Sequence, residues 1–385
     1  MWQILSRIAG GRAMKSWMRR IATLKTGLRG TLVLVAMAAI MSSFTISGAA
    51  RAASLSVLQG LKFDGGFQEL VISVPDLEDA IEFYQRVAGW RVIHRGAAQP
   101  EMLDAWALPD SAKAIEAVLQ NPDNPNGFIR LIKFRGVAQE EARPSGRPWD
   151  TGGLAGFVTT TSDVEAKYLQ FRQSGWHAYA QPAQVKHAYG TFGEVMMQGF
   201  ADEVVKLLQP MDGPKAKGDA AKDLSAATSA FATVADLDTT LAFYTDKLGF
   251  KILLRDDGPA DVPGRNPLGL PNNLVNNVYQ RSALVHPQGD DPANPHVGAL
   301  RFTTYYGAQG EDFSSRAHAP NLGIIAIRFA VSDADARLEA LKAKGVTPAY
   351  APTDVGMSPY GAVTVFGVRD PNGILLEFFE PRDKP

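Results

Sequence analysis

The chain has 385 residues, 45% of them hydrophobic and 21% charged, with 36 Gly, 24 Pro and no Cys. This excludes collagen-like, disordered and disulfide-stapled chains, and it excludes thiolate nucleophiles and Cys-ligated metal or iron–sulfur sites. The net charge of −1 is uneven: the first 52 residues carry eight Lys and Arg and no acid, leaving 31 basic against 40 acidic residues in the remainder, a balance of −9. A body that acidic, with no basic run, lacks the field that attracts nucleic acid.

In chain order, the basic start (Arg7, Arg12, Lys15, Arg19, Arg20, Lys25, Arg29) precedes the 11-residue apolar run Thr31 to Met41, then small residues ending Ala50-Arg51-Ala52. That order is the pattern of a secretory signal at 1–52. The run is too short for a bilayer, which needs about 20 residues, so no stable membrane span is expected once the signal is removed. The expected destination is the periplasm or the exterior, with a retained N-terminal anchor as the competing reading.

Next come alternating Glu69 to Val74, a strand with one buried face, then Asp76 as N-cap of a helix that stops at Gly89. Further strands are expected at Trp90 to His94, Ile115 to Leu119 and Phe128 to Phe134, separated by turn-rich stretches such as Asn121 to Gly127. The pattern then repeats. Val74 to Arg95 (VPDLEDAIEFYQRVAGWRVIHR) aligns without a gap with Val234 to Arg255 (VADLDTTLAFYTDKLGFKILLR), and Tyr189 to Pro210 aligns with Tyr360 to Pro381. Each unit divides again, because Ser162-Asp163 and Ser332-Asp333 open helices that end at Gly175 and Gly345. The result is four βαβββ modules, an α+β fold, in two units at 60–210 and 225–382 joined by a linker at 211–224 that is rich in Gly, Pro, Lys and Asp.

The motifs Val74-Pro75-Asp76-Leu77 with Phe83-Tyr84 and Gly89-Trp90, Val234-Ala235-Asp236-Leu237 with Phe243-Tyr244 and Gly249-Phe250, and Asp370-Pro371-Asn372-Gly373 through Leu376-Glu377-Phe378 resemble those of the vicinal oxygen chelate superfamily. This groups glyoxalase I, bleomycin-resistance proteins, fosfomycin-resistance enzymes and ring-cleaving dioxygenases. The resemblance implies paired modules forming two cups, in which inward side chains of the first and last strands chelate a divalent metal that holds substrate oxygens. The first-strand ligand position lies five residues before the Val of V-x-D, and the last-strand ligand is the Glu of L-E-F. Those positions here are Glu69, Gly156, Ser229 and Ala326, then Arg130, Lys206, Arg301 and Glu377.

Cations cannot ligate a divalent metal, so no metal or other cofactor is expected. Paired in chain order, the modules give one cup with Glu69, Arg130, Gly156 and Lys206, and another with Ser229, Arg301, Ala326 and Glu377. The sequence leaves open whether modules pair within units or across them. Glu69 as base with Arg130 and Lys206 as oxygen-binding cations would suit a metal-free lyase or isomerase step, and a salt-bridged network in a dead metal site is the competing reading. Arg301 with Glu377 reads as an ion pair. His187 is a candidate acid or base on a lid, while Ser229, Tyr189 and Tyr360 are candidate substrate contacts. His286 and His296 flank what reads as a solvated loop, and Tyr84 and Tyr244 read as helix-to-sheet packing.

The expected partner is therefore a small oxygen-rich or anionic molecule, with the oligomeric state open. A sequestering protein of the bleomycin-resistance kind is the second reading, and a metal-dependent glyoxalase or dioxygenase with ligands in another register is the third.

Overall fold

The computed structural model describes residues 56–144, 147–187, 190–212, 224–260, 264, 266–288 and 297–383. The signal-like segment, Tyr189, His296 and most of the linker lie outside the described residues. No described helix is long and apolar enough to cross a membrane.

Module 1 runs β1 (Glu69–Ser73), α1 (Leu77–Ala88), β2 (Arg91–Ala97), the short α2 (Pro100–Ala105), β3 (Lys113–Gln120) and β4 (Phe128–Arg135). Module 2 has β5 (Gly156–Thr160), α3 (Val164–Gln173), β6 (His177–Ala178), β7 (Ala183–His187), β8 (Gly190–Gln198) and β9 (Val204–Pro210). Module 3 has β10 (Ser229–Thr233), α4 (Leu237–Ala242) continuing as a π turn (Phe243–Lys247), β11 (Lys251–Pro259), α5 (Asn272–Val275), β12 (Tyr279–His286) and β13 (Ala299–Tyr306). Module 4 has β14 (Gly323–Ala330), α6 (Ala334–Ala343), β15 (Pro348–Gly356), β16 (Ala362–Arg369) and β17 (Leu375–Pro381).

The four module helices begin alike. Asp76, Asp163, Asp236 and Asp333 each accept backbone N–H groups of the first turn, satisfying donors that a helix start leaves unpaired. The first helix ends at Gly89, whose φ of 71° lies in the left-handed region that a side chain disfavours.

The modules pair across the two units. One sheet has the order β15-β16-β17-β14-β1-β4-β3-β2, so it joins module 4 to module 1. The other has the order β11-β12-β13-β10-β5-β9-β8-β6, with β7 on β8, and joins module 3 to module 2. The joints are the antiparallel pairs β1 with β14, register Glu69↔Arg328 and Val71↔Ala326, and β10 with β5, register Ser229↔Val158 and Phe231↔Gly156. A cup is therefore not a repeat unit: each draws one module from either side of the linker.

Strand alternation sorts the side chains. Leu70 and Ile72 join a core with Tyr84, Val87 and the corresponding residues of all four modules, while Glu69 and Val71 face the opposite way, into the cup. Tyr84 and Tyr244 are buried in that core, Tyr84 stacked on Trp90 and Tyr244 edge-on to Phe250. His286 is buried at the end of β12, where its Nδ1 accepts Gln288 N–H at 3.2 Å, so the solvated-loop expectation does not hold for it.

Candidate functional site

Cross-unit pairing regroups the eight inward positions. Glu69, Arg130, Ala326 and Glu377 come together in the cup of modules 1 and 4, and Gly156, Lys206, Ser229 and Arg301 in that of modules 2 and 3. Two expectations are corrected by this. Glu69 and Arg130 do not share a cup with Lys206, and Arg301 does not meet Glu377, because β1 bonds to β14 and β5 to β10.

The first cup is closed by charge. Arg130 donates from Nε to Glu69 Oε1 at 2.8 Å, from Nη1 to Glu116 Oε1 at 2.6 Å and from Nη2 to the Ser358 carbonyl at 2.7 Å. Arg328 donates from Nη1 to Glu69 Oε1 at 2.7 Å and from Nε to Glu377 Oε2 at 2.6 Å. The other carboxylate oxygens accept from Tyr360 Oη on Glu69 (2.8 Å) and from Trp106 Nε1 and Tyr350 Oη on Glu377 (both 2.7 Å). Glu69, Arg130, Arg328 and Glu377 expose 1% or less of their side chains, so water does not screen them. Burial alone would raise the Glu69 carboxyl, but the charges and hydrogen bonds of Arg130 and Arg328 hold it down at about 2. Met102 of α2, with Val57 and Leu58 before β1, fills the cup around Tyr360 and Phe128.

Arg328, Glu116, Trp106 and Tyr350 are members that the sequence does not single out; Arg328 is the one on a first strand. It lies three residues before Val331, not five, and its signal was a lone charge inside the otherwise apolar run GIIAIRFA.

The second cup is open and encloses a cavity of about 730 Å³. Its polar centre is Glu194 on β8, only 2% exposed, whose Oε2 meets Lys206 Nζ at 2.7 Å while Oε1 pairs with His187 Nε2. His187 Nδ1 lies 3.9 Å from Asp256 Oδ2 on β11, so the imidazole bridges the two modules between two carboxylates. Burial pushes the Glu194 carboxyl up, but the Lys206 charge and the His187 hydrogen bond and charge outweigh it and hold the group at about 2. Glu194 is therefore ionised at neutral pH. Across the cup, Arg301 Nη1 donates to Ser282 Oγ at 3.2 Å, and that hydroxyl donates to the Asp256 carbonyl at 3.1 Å. Ser229 lines the same cavity with the apolar residues Phe192, Met196, Phe231 and Leu268. Of the sequence candidates, His187, Lys206, Ser229 and Arg301 thus meet here, while Glu69, Arg130, Tyr360 and Glu377 lie in the closed cup. Glu194 and Asp256 were missed, although Glu194 stands out as a charge within the strand GTFGEVMMQ.

Neither donor set fits a divalent metal. The open cup has Gly, Ser, Lys and Arg at the four ligand positions, and in the closed cup both carboxylates are committed to arginines. Among the described residues no group of three His, Asp or Glu side chains could hold a metal ion.

The fold has solved relatives. A V278E mutant of glyoxalase I from Zea mays superposes with a TM-score of 0.55 at 18% identity, over 86% of this chain and 97% of that one. Glyoxalase I from Zea mays itself gives 0.55 and 18%, over 82% and 92%. No protein of curated function matches the chain in sequence. The profile of one family matches residues 66–202 and 227–378, most of the chain and both repeat units. The four modules, the two cups and this match together establish that the chain belongs to the Glyoxalase/Bleomycin resistance protein/Dioxygenase superfamily.

Proposed function

We propose that this is an exported protein whose open cup receives a small anionic or oxygen-rich organic molecule directly on protein side chains, without a metal. The observation that carries the reading is the cavity of about 730 Å³, with Lys206 and Arg301 at the two last-strand positions where relatives would hold a ligand carboxylate. The volume lies within the range of sites for drug-sized molecules. In such a cavity, a cation stabilises a carboxylate, phosphate or enolate oxygen more strongly than in water.

Any turnover would be a lyase or isomerase step that moves a proton. Lys206, fixed by Glu194, would face the substrate oxygen, and His187, steered by Glu194 and Asp256, would take or return the proton. Arg301 would hold an acid group from the other half of the cup. Fold likeness alone licenses no reaction, so these roles rest on the side chains. The apolar lining by Phe192, Met196 and Leu268 favours a second reading, sequestration of the bound molecule without turnover.

The test combines metal analysis with binding. Chain purified without a His tag from metal-supplemented medium should carry less than about a tenth of an equivalent of metal. Calorimetric titration with a panel of organic acids should give saturable binding that Lys206→Ala and Arg301→Ala weaken. Near-stoichiometric metal would overturn the metal-free reading, and unchanged binding in both variants would overturn the site. Mass analysis of the secreted chain should find an N-terminus near residue 53, and cell-retained chain starting at residue 1 would overturn export.

A further inference from the structure

The two cups also differ at the inward position two residues beyond the first-strand ligand site. In modules 1 to 4 that position holds Val71, Val158, Phe231 and Arg328. In the closed cup, Arg328 reaches both Glu69 and Glu377 and draws the interior shut. In the open cup the same position holds Val158 and Phe231, and Phe231, only partly buried, lines the cavity.

The place of the Phe231 ring follows from its neighbours. In register, Phe231 lies beside Arg301 on β13 and beside Gly156 on β5, and Gly156 lies beside Val204 on β9. A Cβ at Gly156 would come within 2.7 Å of Phe231 Cζ and 1.9 Å of the Val204 carbonyl oxygen. The ring therefore lies over the bare backbone of Gly156, where relatives would project a metal ligand. Lys206 and Arg301 stand on β9 and β13, which β5 and β10 separate, a lateral span of about 14 Å between backbones. An apolar ring thus floors the space between the strands that carry the two cations.

We infer that Phe231 sets the ligand class of the open cup, an organic acid with a flat aromatic or conjugated body that lies against this ring while its acid group reaches Arg301 or Lys206. This rests on the anion-binding reading above and deepens it. A short polar acid would satisfy the cations but leave the ring and the surrounding apolar side chains in water, forgoing the burial that favours binding.

The experiment is calorimetric titration of the full chain, Phe231→Ala and Phe231→Leu with 2-naphthoate, succinate and the neutral 2-naphthalenemethanol. Naphthoate should bind the unaltered chain at least about tenfold more tightly than either other probe, the order of one aromatic face contact with its buried area. Phe231→Ala should lose about that tenfold for naphthoate and change little for succinate. Phe231→Leu, which keeps apolar bulk at a partly buried position, should fold and fall between. Equal binding of naphthoate and succinate, both indifferent to Phe231, would overturn this inference and leave the anion-binding reading standing. Equal binding of the neutral alcohol and naphthoate would overturn the acid half of the inference, and failure of both acids to bind would overturn the reading beneath it.

Discussion

Removing Arg328 from the closed cup isolates the energetics of its buried network. Two carboxylates, Glu69 and Glu377, and two guanidiniums, Arg130 and Arg328, form a neutral buried core, with Glu116 at its edge, 12% exposed. In Arg328→Met, Glu69 keeps Arg130 and the Tyr360 hydroxyl, but Glu377 keeps only Trp106 and Tyr350, neutral donors. One buried negative charge then has no hydrogen-bonded counter-ion, with only Arg369 acting on it at longer range, which costs about 3 to 5 kcal/mol, whereas the intact network owes part of its attraction to offsetting desolvation. Adding Glu377→Gln removes that charge and retains an acceptor for the two donors, so the double variant should recover to within about 1 kcal/mol of the unaltered chain. Urea unfolding at pH 7 followed by circular dichroism measures both. A single variant that costs less than about 1 kcal/mol, or a double variant no more stable than the single one, would refute the charge-balance argument.

Other outcomes follow from the same structure. The Glu69 and Glu194 carboxyls both sit at about 2, so each contributes stability that is present above its unfolded value near 4.5 and is lost as pH falls toward 2, about 3 kcal/mol apiece; Glu194→Gln should flatten part of that acid limb in urea titrations. Glu203 is opposite in sign: burial, against backbone hydrogen bonds that only partly compensate, raises its carboxyl to about 7, so folding loses stability as pH rises from about 4.5 to 7. Glu203→Gln, which can still accept the Ala201 N–H, should stabilise the chain at pH 8 by about 3 kcal/mol, and no gain in urea midpoint there would contradict the assignment. Gly156→Ala should destabilise by about 1 to 3 kcal/mol through overpacking against Val204 and Phe231, and should also weaken naphthoate binding; an unchanged melting temperature would contradict the close approach of both neighbours to Gly156.

Much of the fold was legible locally. The N-capping aspartates, the helix-ending glycines and the duplicated motifs act over short stretches of chain, and they mark the four modules. The pairing of modules was not legible, because β1, β5, β10 and β14 present similar apolar faces and the choice among them is made by packing between distant segments. The site suffered from the same gap. Glu69, Lys206 and Arg301 occupy inward positions as expected, but which residues meet depends on the pairing, and Arg328 and Glu194 act from strand positions that the ligand register does not include.

The hydrogen bond from Arg328 to Glu69 joins residues 259 positions apart. The sheet around it cannot be completed until the last module has been made, so β1 stays an open edge throughout the synthesis of modules 2 and 3. Modules 2 and 3, neighbours in the chain, can meanwhile assemble the open cup across the linker. The chain is thus nested, an inner pair enclosed by an outer one, and its contact order is high, a condition that slows folding and leaves an unpaired strand exposed. Cutting it at the linker would divide both cups and leave a bare edge at β1, β5, β10 and β14, whereas separating modules 2 and 3 as one piece would keep a whole sheet together.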